Sequence, residues 1–170
     1  MKIPERKVKK IMKQILEALA YLHQKKIVHM DIKLENIFLD QDHNAILADF
    51  EFAFHEDDLT RRLRGTPQYL SPEMVERLYD KEKDFPSTKT DIWSAGICLF
   101  VLLVHYMPFS HSDSNVTFRQ IRYGDLDYLR KDWDSVSSAG LDLTKRMLTR
   151  NPVSRISASE ALNHAFFKKM

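Results

Sequence analysis

His29-Met30-Asp31-Ile32-Lys33-Leu34-Glu35-Asn36 sets an aspartate, a lysine and an asparagine in one short polar segment. Apolar residues lie on both sides of it, Ile27-Val28 before and Ile37-Phe38-Leu39 after. Run, break, run predicts strand, loop, strand. On such a loop an Asp can accept a hydroxyl proton. A Lys two residues on can reach a phosphate, and an Asn can offer its carbonyl oxygen to a hard cation such as Mg²⁺. Further out, Asp42-His43-Asn44 is turn chemistry and Ala45-Ile46-Leu47-Ala48 reads as a strand, so two short strands flank a tight turn. Asp49 follows the second strand, where another cation ligand can sit. A single loop Asp is usually a solvated turn residue and a single Lys is usually surface charge. The spacing of the whole set makes it a candidate site.

Helical patterns surround this segment. Val8, Ile11, Met12, Ile15, Leu19 and Leu22 recur at helical spacing and predict an amphipathic helix over Glu5 to His23, with Pro4 suited to its first turn. Residues 49–68 have no clear period, begin acidic and turn basic at Arg61, Arg62 and Arg64. Long loops inside compact domains are usually functional. Ser71-Pro72-Glu73 reads as a helix start, with Ser71 as the cap. Further helices are predicted near Asp91, over Asn115–Tyr123, over Ser138–Leu148 and over Ser157–His164, the last capped by Ser157 or Ser159. The fold class is therefore mainly α, a helical bundle with a small β element beside the polar loop.

Composition excludes several classes. The 170 residues suit one domain, and 44% hydrophobic with 29% charged residues is a globular balance. A net charge of +2 argues against nucleic acid as a partner, and Arg61, Arg62 and Arg64 read as a solvated or substrate-facing surface. Cys98 is the single cysteine, which excludes an intrachain disulfide framework and fits a reducing compartment, and the lack of recognisable targeting signals makes an intracellular, cytoplasmic setting the expectation. Four dispersed glycines exclude a Gly-rich phosphate cradle in this chain. The basic N-terminus is not read as a signal peptide, because Lys13 and Glu17 interrupt its apolar run. Ile92 to Ser112 carries no Asp, Glu, Lys or Arg, yet it reads as a buried core helix rather than a membrane span: His105, Pro108 and His111 interrupt it and no basic cluster flanks it.

The motifs together resemble the large, C-terminal lobe of a eukaryotic serine/threonine protein kinase. HMDIKLEN is similar to the family's H-R-D-x-x-x-x-N, ADFEFA to its D-F-G, and GTPQYLSPE to its A-P-E. DIWSAGICLF, YMPF and RMLTRNPVSRISASEALNHAFF are similar to the family's central and closing helices, and the first 23 residues to the helix before the catalytic loop. The later helices look loosely like the calcium/calmodulin-dependent group. The resemblance implies ATP and Mg²⁺ as cofactors and protein Ser/Thr hydroxyls as acceptors. It assigns Asp31 as catalytic base and Lys33 as the neutraliser of the transferred phosphoryl group. Asn36 and Asp49 become the magnesium ligands, and Phe38 the floor under the adenine. Glu73 pairs with Arg155, and Asp91 holds the catalytic-loop backbone, both as structural supports. Residues 1–170 are then a single partial kinase domain, with an activation segment over 49–73.

The sequence also departs from the family. The β-rich small lobe, with its Gly-rich loop and strand lysine, is not in this chain, so exposed apolar surface is expected where that lobe or a protein partner docks. Met30 stands where the family has the Arg that pairs with an activation-loop phosphate, and Arg62 stands at the usual acceptor position, with Thr60 as a neighbouring hydroxyl. Activity is therefore expected to be independent of phosphorylation there. Glu51 replaces a Gly, where a β-carbon penalises positive φ by roughly 1–2 kcal/mol and should make the Asp49-Phe50 segment change conformation less readily. His105 replaces a Gly that commonly follows the central helix. The alternative to a catalytic large lobe is a short pseudokinase acting as a protein-binding module.

Overall fold

The computed structural model describes residues 3–58, 63–83 and 87–168. Thr60, Arg61 and Arg62 lie outside the described residues. Helix α1 runs Glu5–Gln24, one residue beyond the predicted end, with Pro4 at its cap position. Val8, Met12, Ile15, Leu16 and Leu19 form its buried stripe. The carbonyl of Pro4 accepts from the Lys7 and Val8 amides at 2.8 and 3.2 Å, which satisfies two of the amides that a helix start leaves unpaired.

Strand β1 (Ile27–Val28) leads into the polar loop, and β2 (Ile37–Leu39) and β3 (Ala45–Leu47) form the predicted hairpin, with Phe38 opposite Ile46. Asp40 organises its turn. One carboxylate oxygen accepts from the Asp42 and Asn44 amides at 2.9 and 2.7 Å, and His43 takes a φ of +58°. The turn residues read from the sequence are thus right, but the acceptor that holds them sits two positions earlier. A fourth strand, β4 (Phe54–His55), pairs antiparallel with β1 inside the stretch read as an aperiodic loop. Two residues are too few to show a period.

Helix α2 (Pro72–Tyr79) starts as predicted, but Ser71 does not cap it through its side chain. Its hydroxyl instead meets that of Thr90 at 2.5 Å. Helix α3 (Lys89–Val104) is the axis of the molecule and is buried on nearly every face, as its uncharged run implies. No helix among the described residues is long and apolar enough to cross a membrane. Gly96 explains how α3 meets α5 (Ser138–Met147): a β-carbon there would lie 2.9 Å from Leu148 Cδ2 and 3.0 Å from Met147 Cβ. His105 ends α3 in the left-handed region at φ +65°, donating its amide to Val101 O at 2.8 Å. This is the conformation that favours glycine at a helix end, so the family's Gly at this place has a geometric reason. Helix α4 (Ser114–Tyr123) is capped by Asp113, and α6 (Ala158–Leu162) by a reciprocal Ser157–Glu160 pair that decides between the two predicted caps. Trp93 stacks on Phe109, and Phe100 meets Trp133 edge-on, closing the core between α3 and the later helices.

Candidate active site

The polar loop is held from below by one buried carboxylate. Asp91, on the first turn of α3, is 1% exposed. It accepts the His29 amide at 2.9 Å and the Met30 amide at 3.0 Å, and meets His23 Nε2 at 3.0 Å. Two backbone donors on two oxygens of a fixed helix residue set the position and the rotation of the loop at once. Met30 can then take a φ of +74°, a strained value for a side-chain-bearing residue that the surrounding bonds enforce. His23 was not singled out in the sequence. It lies in the last turn of α1, and only tertiary packing brings it to Asp91.

His29 ties this loop to the strand after it. Its Nδ1 accepts from the Asp31 amide at 3.3 Å, which leaves Nε2 to donate to the carbonyl of Ala48 at 3.1 Å. Burial lowers the imidazole pKa, against the pull of Asp91 and the Ala48 carbonyl, so the neutral ring with Nε2–H fits both partners. Its ring also meets Phe50 edge-on at 4.7 Å. The Ala48 amide donates to the Asn36 carbonyl at 3.0 Å. The two contacts dock the Ala48-Asp49-Phe50 segment against both ends of the polar loop.

Within the loop, Asp31, Lys33 and Asn36 form one network. Asp31 is 4% exposed. Its Oδ2 accepts from Lys33 Nζ at 2.6 Å and Asn36 Nδ2 at 3.2 Å, and its Oδ1 accepts from the Thr66 hydroxyl at 2.8 Å. Lys33 also donates to Thr66 Oγ1 at 3.1 Å, and Asn36 to the Asp31 carbonyl at 2.9 Å. Burial pushes the Asp31 carboxyl up, but the bonds from Lys33, Thr66 and Asn36 and the charge of Lys33 outweigh it, and the net shift is downward. The group is therefore ionised at neutral pH. A lowered folded-state value also means that Asp31 stabilises the fold above the ordinary aspartate pKa of about 3.9, a contribution lost as pH falls through the folded value. A carboxylate has about four acceptor sites, so the three donors seen among the described residues leave about one for a further hydroxyl.

Asp49 sits at φ +64°, and among the described residues its carboxylate accepts from Glu51 N at 3.4 Å. The positive φ of this segment thus falls on Asp49, and Glu51 has none, so the β-carbon of Glu51 meets no such penalty in this conformation. Asn36 spends Nδ2 on Asp31, which makes its amide oxygen the atom suited to a cation. No group of three or more His, Cys, Asp or Glu forms a metal cluster among the described residues. Asn36 and Asp49 by themselves would leave most of a magnesium ion's oxygen ligands to phosphate and water. Phe38, on β2, is 57% exposed, and its cross-strand partner Ile46, the adjacent Leu39 and Phe50 are each about half exposed.

The segment after Asp49 is anchored at its far end. Arg155 is 1% exposed and forks onto Glu73, Nη1 to Oε1 at 2.7 Å and Nη2 to Oε2 at 2.9 Å. The same guanidinium donates to the carbonyls of Lys89, Thr149 and Arg150 and stacks over Trp93. Gly65, at φ +132°, leaves room that a β-carbon would take up, 2.9 Å from Leu70 Cδ2 and 3.0 Å from Met30 O. Tyr69, whose burial raises its hydroxyl pKa, donates to Glu35 at 3.3 Å. Thr66 carries the main contact that motif reading alone did not assign: its hydroxyl bridges Asp31 and Lys33 across 35 residues.

Comparison with known proteins agrees with this geometry. The profile of the protein kinase domain matches residues 1–167. The chain is 37% identical over 169 residues to the phosphorylase b kinase gamma catalytic chain, liver/testis isoform, of Bos taurus and of Homo sapiens, covering 98% of this chain and 42% of each relative. It is 36% identical over 165 residues to calcium-dependent protein kinase 3 of Plasmodium yoelii yoelii, covering 94% of this chain and 29% of that protein. The chain thus spans less than half the length of these relatives. A loop clamped by Asp91, an Asp31 network closed by Thr66, an Arg155–Glu73 anchor and a profile match over nearly every residue converge on one conclusion: the chain belongs to the protein kinase domain family.

Proposed function

We propose that this chain is the large lobe of a serine/threonine protein kinase, which transfers the γ-phosphoryl group of ATP to protein Ser or Thr hydroxyls when a small lobe completes the cleft. The observation that carries this reading is the Asp31 carboxylate, kept ionised by three donors with about one acceptor site to spare. That site suits an incoming hydroxyl. Asp31 orients the hydroxyl oxygen and takes its proton as the oxygen–phosphorus bond forms. Lys33, bonded to Asp31, would neutralise charge on the transferred group. Asn36 and Asp49 would hold Mg²⁺, which supplies charge neutralisation to the phosphates. Phe38, exposed on β2, offers an apolar face to the adenine. The relatives' names support the reading, since they describe a catalytic kinase chain and a calcium-dependent kinase. An intracellular setting follows from the same reading.

Met30 supports independence from activation-loop phosphorylation. Its side chain is 3% exposed and uncharged, and its amide is spent on Asp91, so it offers no cation to a phosphate. A second reading, a pseudokinase used as a binding module, is favoured by the exposed apolar face of Phe38 and Ile46, opposite each other on the hairpin, which a partner other than a small lobe could cover. The test is phosphate transfer by a protein in which a small lobe is joined to this chain, with Asp31→Asn as control. Transfer that falls about 10²–10⁴-fold in the variant supports the base. Transfer unchanged by Asp31→Asn removes Asp31 from that role, and no transfer from a well-folded two-lobed protein favours the binding module.

A further inference from the structure

A second concave surface lies away from the polar loop. It is a hollow of about 560 Å³ between the first turns of α1 and the β2–β3 hairpin. That volume falls within the roughly 300–1,000 Å³ of ordinary binding clefts. Ile11 and Leu39 form its apolar wall, and Arg6, Lys7 and Lys10 stand on its rim with Asp42 and His43 opposite. Leu39 and Phe38 are neighbours on one strand and project to opposite faces of the hairpin, so this hollow is separate from the surface that Phe38 offers to adenine.

The charges here are arranged unlike those on the rest of α1. Lys9 lies 3.6 Å from Glu5, and Lys13 lies 4.0 Å from Glu17, each an i,i+4 pair on the helix itself. Arg6, Lys7 and Lys10 have no carboxylate within ion-pair distance among the described residues, although all three are exposed. Lys10 donates instead to the backbone carbonyl of Asp42 at 3.0 Å, which holds its ammonium over the hairpin turn. Asp40, the other acid of the turn, bonds through both oxygens to Asn44 and the Asp42 amide, and its charge also acts on Lys10 without forming an ion pair. Three cations therefore face a half-exposed leucine with one carboxylate lining the same hollow.

From this charge complementarity we infer that the hollow is a docking site for an acidic segment of a partner protein, one that sets a leucine-like side chain against Ile11 and Leu39 and carboxylates against Arg6, Lys7 and Lys10. The apolar contact supplies affinity, and the carboxylates supply orientation and discrimination. The site lies outside the catalytic constellation and does not depend on it.

The test is fluorescence anisotropy of the folded chain with a labelled peptide of alternating Glu and Leu, and with its Gln-for-Glu counterpart. Saturable binding of the acidic peptide is expected, weakened by added salt and at least about tenfold weaker for the Gln peptide. The double variant Lys7→Glu/Lys10→Glu should lose a similar factor. Leu39→Asp should lose it too, with circular dichroism confirming that each variant stays folded. Arg6→Gln is the milder variant if the double reversal does not fold. No saturable binding of the acidic peptide overturns the inference, as do equal affinity for both peptides and equal affinity for the variants. Concentration-dependent self-association of the chain that Leu39→Asp abolishes would also overturn it, because the occupant would then be a second copy.

Discussion

The polar loop ends at Asn36 and the hairpin begins at the next residue, Ile37, yet they are built in opposite ways. Around Asp31 nearly every polar atom is spent: Asp91 holds the backbone, His29 bridges to Ala48, and Lys33, Asn36 and Thr66 converge on one carboxylate. On β2 and β3, Phe38 and its cross-strand partner Ile46 stand about half exposed on one face of the hairpin, and Leu39 stands half exposed on the other. One half of the site is preorganised by buried bonds before any ligand arrives. The other half is apolar surface whose worth depends on what covers it. The difference teaches where stability and where association should be sensitive: a buried, hydrogen-bonded charge is costly to break, whereas half-exposed apolar residues contribute little until a second surface removes them from water.

Three measurements break or sharpen that contrast. Arg155→Met removes the guanidinium that forks onto Glu73 and satisfies three carbonyls. Urea unfolding should show a loss of about 3–5 kcal/mol, because Glu73 and those carbonyls lose their partner. A loss under about 1 kcal/mol would mean that water replaces the fork, and that the anchored segment is less buried than its contacts suggest. Asp91→Asn is a smaller break. The amide can still accept one loop N–H through its oxygen but not two through both, so one buried donor among His29 and Met30 goes unpaired. Thermal unfolding should fall by the equivalent of about 1–3 kcal/mol. Phosphate transfer by the two-lobed protein should fall further than stability does, since the loop loses its set position. Equal activity would detach Asp91 from positioning. The smallest effect is expected from Phe38→Thr. Stability should change by no more than about 0.5 kcal/mol, the usual range for exposed positions, while binding of a hydrophobic dye drops clearly. A large loss of stability would show that the open face belongs to the core after all.

Much of this could be read from residue order. The periodic apolar positions of α1, the uncharged run of α3 and the Asp–Lys–Asn spacing each depend on neighbours within one or two turns, which a sequence displays directly. The match of HMDIKLEN, ADFEFA and GTPQYLSPE to one family in one order added the kinase reading, and the profile match agrees with it. Short-range pattern reading missed β4, because a two-residue bridge has no period, and it gave Ser71 a capping role that its pairing with Thr90 replaces.

What residue order by itself determined was the list of chemical groups and the helices that carry them. What only the tertiary structure decided was their mutual bonding. Thr66 reaches Asp31 across 35 residues, Asp91 reaches His29 across 62, and Arg155 reaches Glu73 across 82. No local rule encodes those pairings, because their loop-closure entropy is offset only when the whole core around α3 forms. The same core decides that Gly96 is a contact and not a break, and that the strained φ values at Met30 and Asp49 persist.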